Sequence, residues 1–382
     1  MNPQNPILDA ARSIGDVFVS WQDDRGGIDR ARCPYLAPKY HPLFRDMEIP
    51  FMARALSGLS AATRNAAYLE ASGRYADYYL DLVENLATSE RIAYKFGIAM
   101  ESAALVARDH PGRCLEVAAR GLTVLKWLRQ LRTDLGSWFL CGYKPGLASL
   151  KDKPDVGFSD DLCHVGRGLV RLYEATRRPD ILADIRGLCG YYLRDVAPDS
   201  MQGLWNRDLG TWVIGPWPDT AFEHMDNTPA CAAGWVWSAY GGADFLLSAL
   251  PYLEDGPERD RVRELVMASN RWIFRECQFE DGAIGMTGRD DRWVGLTAAA
   301  ILVVLGTEKA GLMTEQERKE FGPPVRAAWS WLLAHVGENL PEAGYLEATG
   351  KTFPSPGDNV AWLLSWTCEC LLRAQDVQAF LR

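Results

Sequence analysis

The chain has 382 residues, 48% of them hydrophobic, with a formal net charge of −9 and a pI of about 5.2. That apolar content suffices for a large core, and the acidic balance argues against a nucleic-acid partner, which needs a basic face. No apolar run reaches the roughly 18 residues of a membrane span, MNPQNPILDAARSIGD lacks a signal-peptide pattern, and the nine cysteines are scattered without a recurring CxxC pair. A reduced, cytoplasmic protein with no metal or cofactor is the expectation.

In chain order, residues 7–22 (ILDAARSIGDVFVSWQ) pattern as a helix that Asp23-Asp24-Arg25-Gly26-Gly27 stops, and residues 25–45 read as loop. Helical stretches then come in pairs. The spacing predicts helices over 49–65 and 75–88, 92–109 and 114–131, 160–176 and 181–196, 228–250 and 258–277, and 293–306 and 315–336, with 358–375 closing the chain. Leu162, Val165, Leu169, Leu172 and Tyr173 keep the three-four spacing of one helix face. No alternating run is long enough for a major strand, and short strands would fit the loops near 203–217 or 341–353.

The first member of each pair is rich in Ala, Gly and Ser, and the second carries more charge. First members begin near 48, 92, 159, 227, 292 and 358, the last four starts being about 65 to 68 residues apart. A repeat too small to bury its own face must stack on its neighbours. Apolar helices inside and amphipathic ones outside, with residues 7–22 completing the outer set, predict an all-α fold, an (α/α)6 toroid in a single domain over 1–382. An open helical array is the alternative.

Residues 223–244, EHMDNTPACAAGWVWSAYGGAD, show how such inner helices are expected to start. Asp226, Asn227 or Thr228 caps, Pro229 suits the first turn, and the run closes on Gly241–Gly242. Polar groups gather at other inner-helix starts too: Asp155, Asp160, Asp161 and His164; Glu223, His224 and Asp226; Arg289, Asp290 and Asp291. The loops feeding them carry Tyr143, Trp205, Trp217 and Trp293. Carboxylates beside aromatic rings suit sugar chemistry, since rings stack on pyranose faces and paired carboxyls supply acid and base. Taken singly, an Asp at a helix start is equally a cap, and His164 equally a core histidine. A helix N-terminus also favours the ionised carboxylate, whereas a general acid needs burial or a like charge to stay protonated.

The six-hairpin pattern resembles the (α/α)6 glycosidases and polysaccharide lyases. Two stretches, Pro154-Asp155-Val156-Gly157-Phe158 and Asp226-Asn227-Thr228-Pro229 followed by Trp235 and Trp237, resemble the unsaturated glucuronyl hydrolases. That resemblance implies an Asp that protonates the 4,5-double bond of an unsaturated uronic acid before water adds. The chain lacks the His that precedes the first Asp in that family. Gln278-Phe279-Glu280-Asp281-Gly282 resembles the repeats of squalene-cyclase and prenyltransferase toroids, but it occurs once and no DxDD acid motif accompanies it.

The expectation is therefore a glycoside hydrolase acting on a uronic-acid-containing oligosaccharide. Asp226 is the leading acid/base, with Asp155 or Asp161 as partner and His224 sharing the proton. Trp205, Trp217 and Trp293 would stack on rings, Arg289 would pair with a substrate carboxylate, and Tyr143, Asp160 and His164 complete the expected substrate-binding set. A lyase, an isoprenoid enzyme and a non-catalytic scaffold are the alternatives, and the oligomeric state is open.

Overall fold

Wherever small apolar and amphipathic stretches alternate in the sequence, helices alternate in the computed structural model, which describes residues 5–29, 31, 32, 46, 48–86, 92–131, 159–200, 202–216, 218, 228–286, 291–336, 346, 347 and 360–382. In chain order come α1 (Pro6–Trp21), α2 (Ile49–Thr63), α3 (Ala66–Glu84), α4 (Ala93–Asp109), α5 (Cys114–Gln130), α6 (Ser159–Thr176) and α7 (Pro179–Leu193). A hairpin of β1 (Trp205–Asn206) and β2 (Thr211–Trp212) precedes α8 (Val236–Ala249) and α9 (Pro257–Trp272). Then follow β3 (Asp291–Arg292), α10 (Val294–Lys309), α11 (Glu315–His335), β4 (Leu346–Glu347), which pairs antiparallel with β3, α12 (Val360–Leu372) and α13 (Ala374–Phe380).

Links from the first helix of a pair to the second are short, as in Arg64–Asn65 and Arg177–Arg178, whereas most links into the next pair are long, as in 22–48, 131–158, 194–235, 273–293 and 336–359, that at 85–92 being the short exception. Arg64 and Arg177 close their turns in the left-handed conformation, at φ 57° and 55°.

The chain groups into two compact units, Met1–Tyr79 with Ile273–Arg382, and Leu80–Trp272. In the first unit α2, α10 and α12 are the inner helices. Phe51 stacks on Trp362 with centroids 4.6 Å apart, Arg54 pairs with Glu369 at 2.5 Å, and Gly58 lies against Leu372. These contacts advance together along both helices, so α2 and α12 run in the same direction. α10 is buried on nearly every side, from Val294 to Leu305, as a helix apolar all round must be. α1 covers α12 and α2, as expected of residues 7–22: the Cys368 thiol reaches the Ala11 carbonyl, and Gly15 lies against Leu59. α3 is tied to α1 and α2 by the Tyr75 hydroxyl donating to the Phe18 carbonyl and the Ser72 hydroxyl to the Ala53 carbonyl, each at 2.7 Å.

In the second unit α4, α6 and α8 are inner and α5, α7 and α9 outer. Gly97 of α4 sits on the backbone of His164 and Val165, and further along Ala103 and Leu172 both meet Gly121 of α5, so α4 and α6 are parallel. Gly166 meets Phe245, and Tyr173 meets Tyr252 edge-on at 5.0 Å, so α8 runs the same way. The α4–α6 crossing is close because both partners are glycine: a Cβ on Gly168 would stand 2.1 Å from the Gly97 carbonyl oxygen.

Three expectations need correction. The helix expected from 228 begins at Val236; residues 228–235 include a one-turn 3-10 helix at Ala230–Ala232 and extended backbone at 233–234 that pairs with Val213 and Ile214, just after β2, the Ile214 N–H donating to the Ala233 carbonyl. Gly241–Gly242 does not end that helix but lies inside it, where the ring of Trp212 fills the space a Gly242 side chain would need. α3 begins at Ala66 instead of near 75.

Candidate functional site

α6 is held at its first residue. The Ser159 N–H donates to the Ile214 carbonyl at 2.9 Å, and the Ser159 carbonyl accepts a short hydrogen bond from the Tyr192 hydroxyl. Trp212 Nε1 in turn donates to the Tyr192 carbonyl at 2.9 Å. The β1–β2 hairpin therefore pins the start of α6 and, through Ile214 and Ala233, the segment that leads into α8. Trp205 belongs to this brace: it is 3% exposed and meets Trp212 edge-on at 5.1 Å.

Within its first two turns α6 carries Asp161 and His164, 7% and 4% exposed. At three residues apart they lie on neighbouring parts of one helix face. The register set by Gly166–Phe245 and Tyr173–Tyr252 brings Tyr240 of α8 level with Asp161, and Trp237 stands one turn earlier on α8. Both aromatic residues are 6% exposed. Lys95 occupies the first turn of α4 at 1% exposure. A buried ammonium near a helix N-terminus opposes both desolvation and the helix dipole.

One turn beyond His164, Arg167 joins all three inner helices. Its Nη1 reaches Asp244 of α8 at 2.6 Å and its Nη2 reaches Glu101 of α4 at 2.8 Å. The Arg167 side chain is 8% exposed, Glu101 12% and Asp244 29%. A turn further, Arg171 pairs with Glu174 at 2.7 Å, and the Tyr252 hydroxyl donates to Glu174 at 3.0 Å. Burial and that carboxylate push the Tyr252 hydroxyl up from its ordinary value. Burial alone would lower the Arg171 guanidinium, but Glu174, with Glu101 and Asp244 close by, holds it above its usual range. The five charged groups therefore form one electrostatic cluster.

The first unit has its own inner-helix start. Asp46 (φ 66°) and Glu48 precede α2, both buried. The Tyr79 hydroxyl is fully buried without a hydrogen-bond partner among the described residues, and burial, with the Asp46 carboxylate adding, drives its ionisation far upward.

Of the residues singled out from sequence, the structure brings Asp161 and His164 together. Trp293 is the N-cap residue of α10 in the first unit, 2% exposed, its N–H bound to the Ile284 carbonyl and its carbonyl to the Thr297 hydroxyl. Asp160 is the second residue of α6, its side chain outside the described residues. Asp155, Asp226, His224, Trp217, Arg289 and Tyr143 also lie outside the described residues. Sequence reasoning missed Lys95, Glu101, Arg167 and Asp244. The available signal was one or two charges inside a small apolar helix, Lys95 and Glu101 in AYKFGIAMESAALVA and Asp244 in VWSAYGGADFLLSA.

No protein-family model matches the chain, and no curated protein sequence does. Solved structures do. A cellobiose 2-epimerase from Bacillus thermoamylovorans B4167 aligns with a TM-score of 0.66 at 11% identity, over 95% of this chain and 99% of that one. An alpha-1,6-mannanase of Salegentibacter sp. HEL1_6 aligns at 0.64 and 10% identity, over 96% and 99%; it is an inactive variant with two adjacent aspartates changed to asparagine, in complex with alpha-1,6-mannotriose. A glycosyl hydrolase family 88 protein from Bacteroides vulgatus aligns at 0.59 and 15% identity, over 95% and 99%. Likeness at this identity is likeness of fold: the chain has the all-α (α/α)6 toroid fold of the six-hairpin glycosidase-like enzymes.

Proposed function

We propose that the chain, taken as one toroid domain, is a carbohydrate-active enzyme that hydrolyses an oligosaccharide by carboxylate acid/base catalysis at the start of α6. The observation that carries this is Asp161 and His164, buried a turn apart at an inner-helix start level with Tyr240 of α8, on which Trp237 stands one turn earlier. One carboxyl protonates the leaving oxygen, and a second, ionised, activates water or attacks the sugar. Asp160–Asp161 is an adjacent aspartate pair, the kind of pair replaced in the inactive mannanase variant. The more specific reading is a uronic-acid-containing substrate, with Asp226 as acid, Asp155 as its partner, His224 sharing the proton, Arg289 on the uronate, and Trp217 and Tyr143 on the rings. It rests on the resemblance of residues 154–158 and 226–229 to the unsaturated glucuronyl hydrolases.

A second reading, sugar epimerisation, is favoured by His164. An imidazole can take a proton at a ring nitrogen and return it, which suits proton transfer beside a carbonyl, and a cellobiose 2-epimerase shares the fold.

The test is a panel of neutral and uronate oligosaccharides given to wild type, Asp161→Asn and Asp226→Asn. Reducing-sugar release reports hydrolysis, loss of the unsaturated-uronide absorbance reports hydration of the double bond, and its gain reports elimination. Carbon NMR of the reducing end reports epimerisation. Activity that survives both substitutions in folded protein refutes the site; no turnover of any sugar refutes the class.

A further inference from the structure

Buried ion pairs are a poor way to stabilise a helix bundle. Desolvating the charges offsets most of their attraction, and apolar side chains of similar volume often do as well. The Arg167 triad therefore calls for a reason beyond holding α4, α6 and α8 together. It lies on the α6 face that continues from His164 through Arg167 and Arg171 to Glu174, opposite Leu162, Val165, Leu169 and Leu172, which are fully buried, Leu172 against α5. Along that face burial gives way to access: Asp244 is 29% exposed, Glu174 34% and Arg171 46%. Polar groups anchored on three rigid helices, partly open and flanked by Tyr240 on α8 and the Tyr173–Tyr252 pair, have the makings of a preorganised recognition surface.

Resting on the carbohydrate reading above, we propose that Arg167, Glu101 and Asp244 form a subsite for an uncharged sugar unit of the substrate. The guanidinium donates to sugar oxygens, and the two carboxylates accept from vicinal hydroxyls in the forked geometry that such groups favour. The charge balance selects the ligand. Three cations, Arg167, Arg171 and Arg177 over the Tyr173 ring, answer three carboxylates, Glu101, Asp244 and Glu174, so no positive charge is left over to hold a uronate. An acidic unit of the substrate must then bind elsewhere, and the triad sets specificity for its neutral neighbour.

Titration of wild type, Asp244→Asn and Glu101→Gln by tryptophan fluorescence with cellobiose, alpha-1,6-mannobiose and glucuronate, alongside thermal melts, tests this. Wild type is expected to bind at least one neutral disaccharide. Each variant should bind it about ten- to a hundredfold more weakly, the loss of a charged hydrogen bond, while any glucuronate affinity holds or rises as a repelling charge is removed. The two variants guard against misfolding, since each leaves Arg167 one carboxylate. Unchanged neutral-sugar affinity in both folded variants overturns the subsite while leaving the carbohydrate reading intact. Equal weakening for neutral and acidic sugars also overturns it and marks the triad as a structural clamp. No binding of any sugar by wild type refutes the carbohydrate reading itself.

Discussion

A methyl group on Gly97 would stand 2.5 Å from the His164 carbonyl oxygen and 2.6 Å from the Val165 Cα. Both are backbone atoms of a buried helix and cannot swing aside, so Gly97→Ala must push α4 away from α6. The expected cost is about 1–3 kcal/mol in urea unfolding, with activity falling because His164 is on the displaced segment. Arg64 presents the opposite case. It is exposed and left-handed at φ 57°, a conformation that costs a residue with a Cβ roughly 1–2 kcal/mol. Arg64→Gly should therefore raise stability by up to about 1 kcal/mol and leave activity unchanged. Asp180 gives a pH signature. Hydrogen bonds from Arg178 and then Arg129 lower its pKa from 3.8 to about 2. Its contribution is complete above the unfolded value and disappears as pH falls through the folded one. The side chain is 39% exposed, so Asp180→Asn should cost under about 1 kcal/mol at pH 7. That difference should shrink between pH 5 and pH 2 in paired unfolding curves.

Helices reveal which of their own features the sequence announces. α11 starts with a reciprocal cap: Thr314 accepts from the Glu317 N–H at 3.2 Å, and the Glu317 carboxylate accepts from the Thr314 N–H at 2.8 Å. Thr314→Ala should cost about 1 kcal/mol, read by thermal or urea unfolding. The alternation of inner and outer helices was legible because burial on all sides and burial on one side demand different compositions. The start of α8 was not, because Thr228–Pro229 has the local chemistry of a cap while residues 233–234 are claimed by pairing with Val213 and Ile214, just after β2. Gly241–Gly242 misled for a similar reason, since what those glycines accommodate is a Trp brought from elsewhere in the chain. The candidate site shows the same division. Asp161 and His164 stand out as polar groups at a helix start. Glu101, Arg167 and Asp244 acquire meaning only as a triad, and residues on three different helices signal no pairing before those helices meet.

At the scale of the molecule, the second unit is one unbroken stretch, Leu80–Trp272, whereas the first joins Met1–Tyr79 to Ile273–Arg382. Residues 80–272 expressed alone should be helical by circular dichroism and unfold cooperatively, while residues 1–79 alone should not. The first unit is unfinished without α12, because α1 sets the Ala11 carbonyl against Cys368 and α2 stacks Phe51 on Trp362. On a ribosome, α1 and α2 leave the tunnel long before α12 exists. At roughly 5–20 residues per second the delay is about 15–60 s, far longer than helices and small units take to collapse. For that interval the nascent chain carries α1 and α2 with the surface that meets α12 uncovered, while a second unit able to fold is already made. The discontinuity thus makes the earliest-made part of the chain the last to be sheltered, and chaperone capture of the nascent chain should concentrate on residues 1–79.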